Sequence, residues 1–140
     1  MKQLLIISGF LVTVLLANMP VSLANTGGAE LDRYQFPKLE AVDRMHRYTI
    51  KGWHYVDARS IIVDASPSTS YLLILNREER DFRFAETVSF TSTASNIYAG
   101  FDSVRPIQRR WITIPVTIMK IYKLNGRADR DAVREQIRAD

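Results

Sequence analysis

His46 and His54 are the only histidines in the chain, and there is no cysteine. A multi-histidine or thiolate metal site within one chain is thereby excluded, because such sites ask for several imidazole or thiolate ligands at once. Met45-His46 pairs a thioether with an imidazole, ligands that suit copper. One such step is not a site, and a helix face and solvent account for the two residues. His54 lies three residues before Asp57, the nearest approach to a Ser-His-acid group. No G-x-S-x-G sequence supplies an exposed nucleophile, and strand residues three apart point to opposite faces. His54 therefore reads as a partly exposed strand residue.

Asp57, Asp64, Glu86 and Asp102 are available for paired acid and base work of the kind that cleaves glycosides. Nothing in their spacing marks a pair. Asp57 precedes Ala58-Arg59 and suits a turn in which it accepts backbone N–H bonds; Asp102 is expected to pair with Arg105 on one strand face. No catalytic residue, metal ligand or cofactor is assigned.

Arginine placement is the remaining chemical signal. Arg77, Arg80 and Arg83 follow YLLILN, while Arg105, Arg109 and Arg110 precede WITIPVT. Brought to one end of a sheet, they would form a cationic rim for phosphate or carboxylate groups. Arg77, Arg80, Arg83, Arg105 and the aromatic Tyr71 are the candidate ligand-binding residues. Against this stand Glu78, Glu79, Asp81 and Asp102, which could neutralise the patch as exposed ion pairs worth only ~0–1 kcal/mol each.

The elements that must position these groups are mostly strands. YTIKGWHYVD, SIIVDAS and YLLILN are rich in β-branched and aromatic residues and are separated by short turns, which predicts a meander. On the first strand the inward set is ambiguous between Trp53 and His54. Further strands are predicted over 87–93, 97–104 and 111–124, the last carrying Pro115, which cannot donate to a ladder and so calls for an edge, a bulge or a bend. Leu39, Val42 and Met45, three apart after Pro37, predict a short helix. Ala132, Val133 and Ile137 give a narrow stripe on a polar C-terminal helix or tail over 127–140. The segment FRFAETVSFTST reads as core, with Phe82, Phe84 and Ala85 pinning a crossing segment and Val88 and Phe90 turned inward; the competing reading has Arg83 and Glu86 flanking a groove.

At the N-terminus Lys2 precedes an apolar run from Leu4 to Leu16, and small residues at Ser22 and Ala24 suit a signal peptidase. Cleavage near Ala24 is expected, since the run is shorter than the ~20 apolar residues of a spanning helix. Residues 25–36, polar and with two glycines, read as a flexible lead-in to a β-rich domain over 37–126. Lys2 is the one charged residue that cleavage removes, so the formal charge of +4 falls only slightly. Mixed charge and export argue against nucleic acid. The fold class is mainly β, a single small antiparallel β-barrel or strongly curved sheet with short peripheral helices, with α+β as the alternative.

In their order along the chain, Ile50, Gly52, Trp53 and Asp57 of IKGWHYVD, Tyr71-Leu72-Leu73 and Leu75, FRFAETV, Phe101-Asp102 with Val104, and Ile114-Pro115-Val116-Thr117 with Ile121 and Leu124 resemble the domain-of-unknown-function family 6491 of small exported bacterial proteins. The resemblance implies a fold and no chemistry. It also implies cysteines just ahead of FRFA and at the position of Ile114, where this chain has Glu79 or a neighbour and Ile114. Together these readings describe a periplasmic or secreted binding or accessory module for an envelope protein or anionic glycan, with a small carboxylate-dependent hydrolase as the alternative. An exposed strand edge at WITIPVT would add strand addition or a homodimer.

Overall fold

The computed structural model describes residues 31–139, so the expected export signal over 1–24 and the start of the lead-in lie outside the described residues. Among the described residues the chain forms nine strands and one α-helix. The strands are β1 (Glu40–Val42), β2 (Arg44–His46), β3 (Gly52–Asp57), β4 (Ser60–Asp64), β5 (Thr69–Leu75), β6 (Thr87–Phe90), β7 (Asn96–Tyr98), β8 (Ser103–Ile107) and β9 (Val116–Asn125). The helix α1 is Gly126–Arg138, and Arg47–Thr49 and Arg80–Phe84 are short 3-10 turns.

The meander β3-β4-β5 forms as its β-branched runs require, and β9 extends it antiparallel along β5 from Asn125 to Ile118. On the other side of β9 lie β8, at Val116 and Thr117, and β1, at Ile121 to Lys123. The order β3-β4-β5-β9-β8-β6 brings β6 round to face β3 across a depression lined by Gly52, Trp53, Val88 and Phe90, so the sheet is a nearly closed antiparallel barrel.

Strand alternation divides the core in two. Ile61, Val63, Leu73, Leu75, Val104, Val116, Ile118 and Ile121 fill the barrel with Met45, Phe82 and Ile97. Ile62, Leu72, Ile74, Tyr122 and Leu124 face the other way and pack under Val133 and Ile137 of α1. Two bulges break strict alternation. Ile74 pairs with Lys120 but Leu75 with Ile118, so Met119 is the extra residue, and Ile118 and Ile121 both point inward although three apart. On β3 the register shifts between Tyr55 and Asp57. Trp53 and Tyr55 pack on the barrel core and His54 is turned outward, which resolves the ambiguity of that strand.

Three expectations are corrected. Leu39, Val42 and Met45 do not share a helix face: Val42 is in β1 and Met45 in β2, where the ladders to β9 and β7 satisfy the backbone better than a short isolated helix would. Their spacing of three instead reflects a chain that crosses layers, for Leu39 packs on the helix-side cluster while Val42 and Met45 serve the barrel. The lead-in is not loose at its described end, because Tyr34 and Phe36 are buried beneath α1, Phe36 edge-on to Tyr122 at 5.4 Å between ring centres. Finally, residues 111–115 are not strand. The ladder to β8 starts at Val116, directly after the proline that has no N–H to give it.

β9 passes into α1 without a loop. Gly126 has φ +79°, a left-handed backbone that favours glycine at this corner. Asp129 then accepts the Asn125 N–H at 2.8 Å, fixing the helix start. Among the described residues no helix is long and apolar enough to cross a membrane.

Candidate functional site

The segment FRFAETV divides at its two phenylalanines. Phe82 is 0% exposed and packs edge-on against Trp53 at 6.2 Å, whereas Phe84 is 72% exposed, so Phe84 does not pin the segment as expected. A 3-10 turn repeats every three residues, so positions two apart diverge. Val88 and Phe90 pack on the barrel core as anticipated. Arg83, beside Phe84, is exposed at the rim of an open depression of about 540 Å³.

That depression lies at the edge of β3 that carries no ladder partner among the described residues. Its floor is Trp53, Tyr55 and Phe82, and its polar rim is His54, Arg83, Glu86, Arg134 and Arg138. The helix supplies two of the cations because Arg130, Arg134 and Arg138 recur every four residues and form one stripe beside the buried Val133 and Ile137. The stripe runs along β3. Arg130 is 3.5 Å from Asp64 beside the start of β3, and Arg138 Nε donates to the Val56 carbonyl near its end at 3.4 Å.

At the head of the stripe, the Asp64 carboxylate joins three groups. His54 Nε2 lies 2.6 Å from Asp64 Oδ2, Ser70 donates to Oδ1 at 2.8 Å, and Arg130 reaches Oδ1. Burial raises the Asp64 pKa, but the bonds from Ser70 and His54 and the charges of His54 and Arg130 outweigh it and hold the carboxyl below its ordinary value of 3.8. Ser70 is buried and bonded to the carboxylate, so this is an anchoring cluster and not a nucleophile with its base.

The other carboxylates are each engaged separately. Asp57 takes the turn role expected of it, accepting the Arg59 N–H at 3.0 Å and the Ser60 hydroxyl at 2.5 Å. It also accepts the Tyr34 hydroxyl at 2.6 Å. Desolvation first, then that bond and the negative charge, push the Tyr34 pKa well above its ordinary 10.0. Tyr34 and Ser60 place Asp57 on the helix-side layer, the face His54 also takes. The β3 bulge thus overrides the rule that residues three apart oppose each other, although His54 bonds Asp64 and not Asp57. Asp102 is buried and accepts from the Thr91 hydroxyl and the Tyr98 N–H, in place of the expected pairing with Arg105. Glu86 lies 3.7 Å from Arg109 with both side chains largely exposed. Met45 is buried and His46 exposed on β2, a strand and not the expected helix face. Among the described residues no group of three or more His, Asp or Glu is placed to hold a metal ion.

The two arginine-bearing connections do meet. Gln108 Nε2 donates to the Asp81 carbonyl, Arg109 faces Glu86, and Arg77 donates to both Glu79 and the Ile114 carbonyl at 3.3 Å. Arg77 thus ties the segment ahead of FRFA to Ile114. The five candidate residues do not converge. Arg83 borders the β3 depression, Arg80 is exposed on the 3-10 turn, and Arg105 borders a separate hollow with Trp111 and Ile112. Tyr71 pairs with Lys123 and packs on the barrel core, about 20 Å along the strand direction from Arg77 at ~3.3 Å per residue. Arg134 and Arg138 were not anticipated, although the four-residue spacing of arginines at 130, 134 and 138 beside Val133 and Ile137 carries the signal.

No curated protein and no solved structure matches the chain. A family model does, over residues 1–140, and its description is a family of unknown function. The match spans the whole chain, and this chain belongs to DUF6491.

Proposed function

We propose that this chain is an exported bacterial envelope protein that works by binding, and that it takes an anionic group, phosphate or carboxylate, in the depression beside β3. The observation that carries this reading is the convergence of Arg83, Arg134 and Arg138 from two elements on one open hollow that Glu86 alone lines as an acid among the described residues. Guanidinium groups offer planar forks of donors that match such oxyanions. Their present partners leave donors free: Arg134 meets Asp131 only at 3.6 Å across the helix surface, and Arg138 uses Nε alone. His54, half-exposed at the same rim, is held by Asp64. The ligand is an envelope protein or glycan bearing such groups. The hydrolase alternative draws no support from Asp57, Asp64, Glu86 and Asp102, whose bonds lie in four separate settings.

Titration of the 15N-labelled protein with inorganic phosphate, then with a hexuronate oligomer, tests this. Arginine side-chain resonances of Arg83, Arg134 and Arg138 are expected to shift, and Arg134→Ala with Arg138→Ala to abolish the response. Shifts confined to other residues, or none, defeat the reading. The export component predicts that protein recovered from an expressing bacterium begins at Asn25, as mass spectrometry would report.

A further inference from the structure

Between β8 and β9 the chain reads Gln108-Arg109-Arg110-Trp111-Ile112-Thr113-Ile114-Pro115, and its apolar residues face water. Ile112 is 93% exposed, Ile114 73% and Trp111 65%. The loop is held at defined points. Thr113 is buried and donates its hydroxyl to the Pro106 carbonyl at 2.5 Å, Gln108 bonds the Asp81 carbonyl, and Arg77 bonds the Ile114 carbonyl. With Thr113 turned in, its neighbours Ile112 and Ile114 are both left facing out. Phe84 from the 3-10 turn joins Trp111, Arg109 and Arg110 around one shallow hollow.

Charge accompanies this apolar tip. Arg109 and Arg110 immediately precede Trp111, and Arg105 borders the next hollow with Trp111 and Ile112. Among the described residues Glu86 is the one acid at the Phe84 hollow, and its pair with Arg109 is exposed and solvent-screened. Arg110 forms no ion pair among the described residues. A tip of tryptophan and isoleucines collared by arginines matches the profile of a bilayer surface: an apolar interior, a headgroup level that favours Trp, and a negative outer layer.

We propose that the Arg109–Ile114 loop is a membrane-surface contact, with Trp111, Ile112 and Ile114 entering the interfacial layer of an anionic phospholipid bilayer and Arg109 and Arg110 on its phosphates. A protruding tip bordered by shallow hollows has the wrong shape to enclose a small molecule, which needs a concave pocket. A second copy through β-addition is disfavoured because this segment is not a sheet edge: β9 is bordered by β5 on one side and by β8 and β1 on the other. None of the loop residues 109–114 lines the β3 depression, although Glu86 borders both hollows, so either proposal can fail alone.

The test is flotation of the protein, purified in the form that an expressing bacterium leaves it, with phosphatidylglycerol-containing and with pure phosphatidylcholine vesicles. Tryptophan quenching by brominated phosphatidylglycerol is read in parallel. Binding is expected to the anionic vesicles and to weaken roughly fivefold for each of Arg109→Ala and Arg110→Ala, with salt opposing it throughout. Quenching is expected to vanish in Trp111→Phe, because Trp53 remains packed on Phe82. Ile112→Ser should weaken binding to both vesicle types in the same ratio, which separates insertion from charge. Circular dichroism melts of each variant confirm the fold. Equal vesicle binding by all variants, absence of binding to anionic vesicles, displacement by inorganic phosphate but not by sodium chloride of equal ionic strength, or a loop-dependent dimer in sedimentation without vesicle binding would each overturn the proposal.

Discussion

The helix-covered face of the sheet and the loop between β8 and β9 use the same residue types to opposite ends. Under α1 the aromatics Tyr34, Phe36 and Tyr122 are buried, and Arg130 finds Asp64. In the loop Trp111, Ile112 and Ile114 lie open and Arg110 pairs with no acid among the described residues. Residue type alone does not separate the two; the supply of partners does. Burial of one large apolar side chain is worth about 1.5–3 kcal/mol. The loop forgoes this three times within four residues while being tied down at both ends, which is the contrast that the membrane-contact proposal addresses.

The sharpest way to break that contrast is at the two phenylalanines, where a single 3-10 turn holds one of each kind. Phe82→Ala should cost ~3–5 kcal/mol in urea unfolding, since it empties the barrel beside Trp53. Phe84→Ala should stay within ~0.5 kcal/mol. Comparable losses in the two variants would mean that the loop side is packed in solution and that the comparison is mistaken.

Much of this division was legible in the sequence, though not all of it. The meander and the barrel follow from alternation in SIIVDAS and YLLILN, because a strand with one aliphatic set on each side must be covered on both. The bulges at Met119 and on β3 were not readable: an extra residue leaves no mark in composition, yet it decides which of Ile118, Lys120 and Ile121 turn inward. Residues 111–115 look like strand because β-branched residues favour strands, and only Pro115 warns otherwise. The helix read at Leu39, Val42 and Met45 failed because a period of three is also produced by a chain that bends between two layers. At the candidate site, Arg83 and His54 were visible, but their meeting with Arg134 and Arg138 depends on α1 lying along β3, a tertiary choice that no local pattern states.

On the helix-covered side, the Tyr34 hydroxyl bonded to Asp57 offers the next test. Tyr34→Phe should lose about 1.5–3 kcal/mol, the range for a hydrogen bond to a charged group. The folded state raises the Tyr34 pKa above its ordinary 10.0, so this contribution is whole below pH 10 and declines as the unfolded chain, titrating first, gains stability at higher pH. Wild type should therefore lose stability above pH 10 more steeply than the variant. Parallel alkaline limbs would place the hydroxyl in water.

The acid limb reports on Asp64 with the opposite sign. Its folded pKa lies below 3.8, so its contribution is present above that pH and is lost as pH falls through the folded value. Asp64→Asn should flatten the acid limb and cost about 0.5–1 kcal/mol at neutral pH, a modest figure because solvent reaches the cluster and screens it. Retained steepness would show that His54 and Arg130 are held by something other than this carboxylate.

The smallest stability effect is expected where the loop is most exposed. Trp111→Ser and Ile112→Ser remove apolar surface that the fold does not bury, so unfolding midpoints should move by no more than ~0.5 kcal/mol. If anything the variants should gain solubility, because exposed apolar patches promote association. Thr113→Val, one residue on, should behave differently: it removes the hydroxyl that holds Pro106 and leaves a buried carbonyl short of its partner, costing about 1–3 kcal/mol. Stability would thus depend on the inward-facing threonine and be indifferent to the isoleucines beside it. A fold that anchors the loop through Thr113 while exposing Ile112 and Ile114 constrains its geometry and leaves its surface free for use. Were all three substitutions equally costly, the loop would be ordinary packing and its exposed face would lose its claim to function.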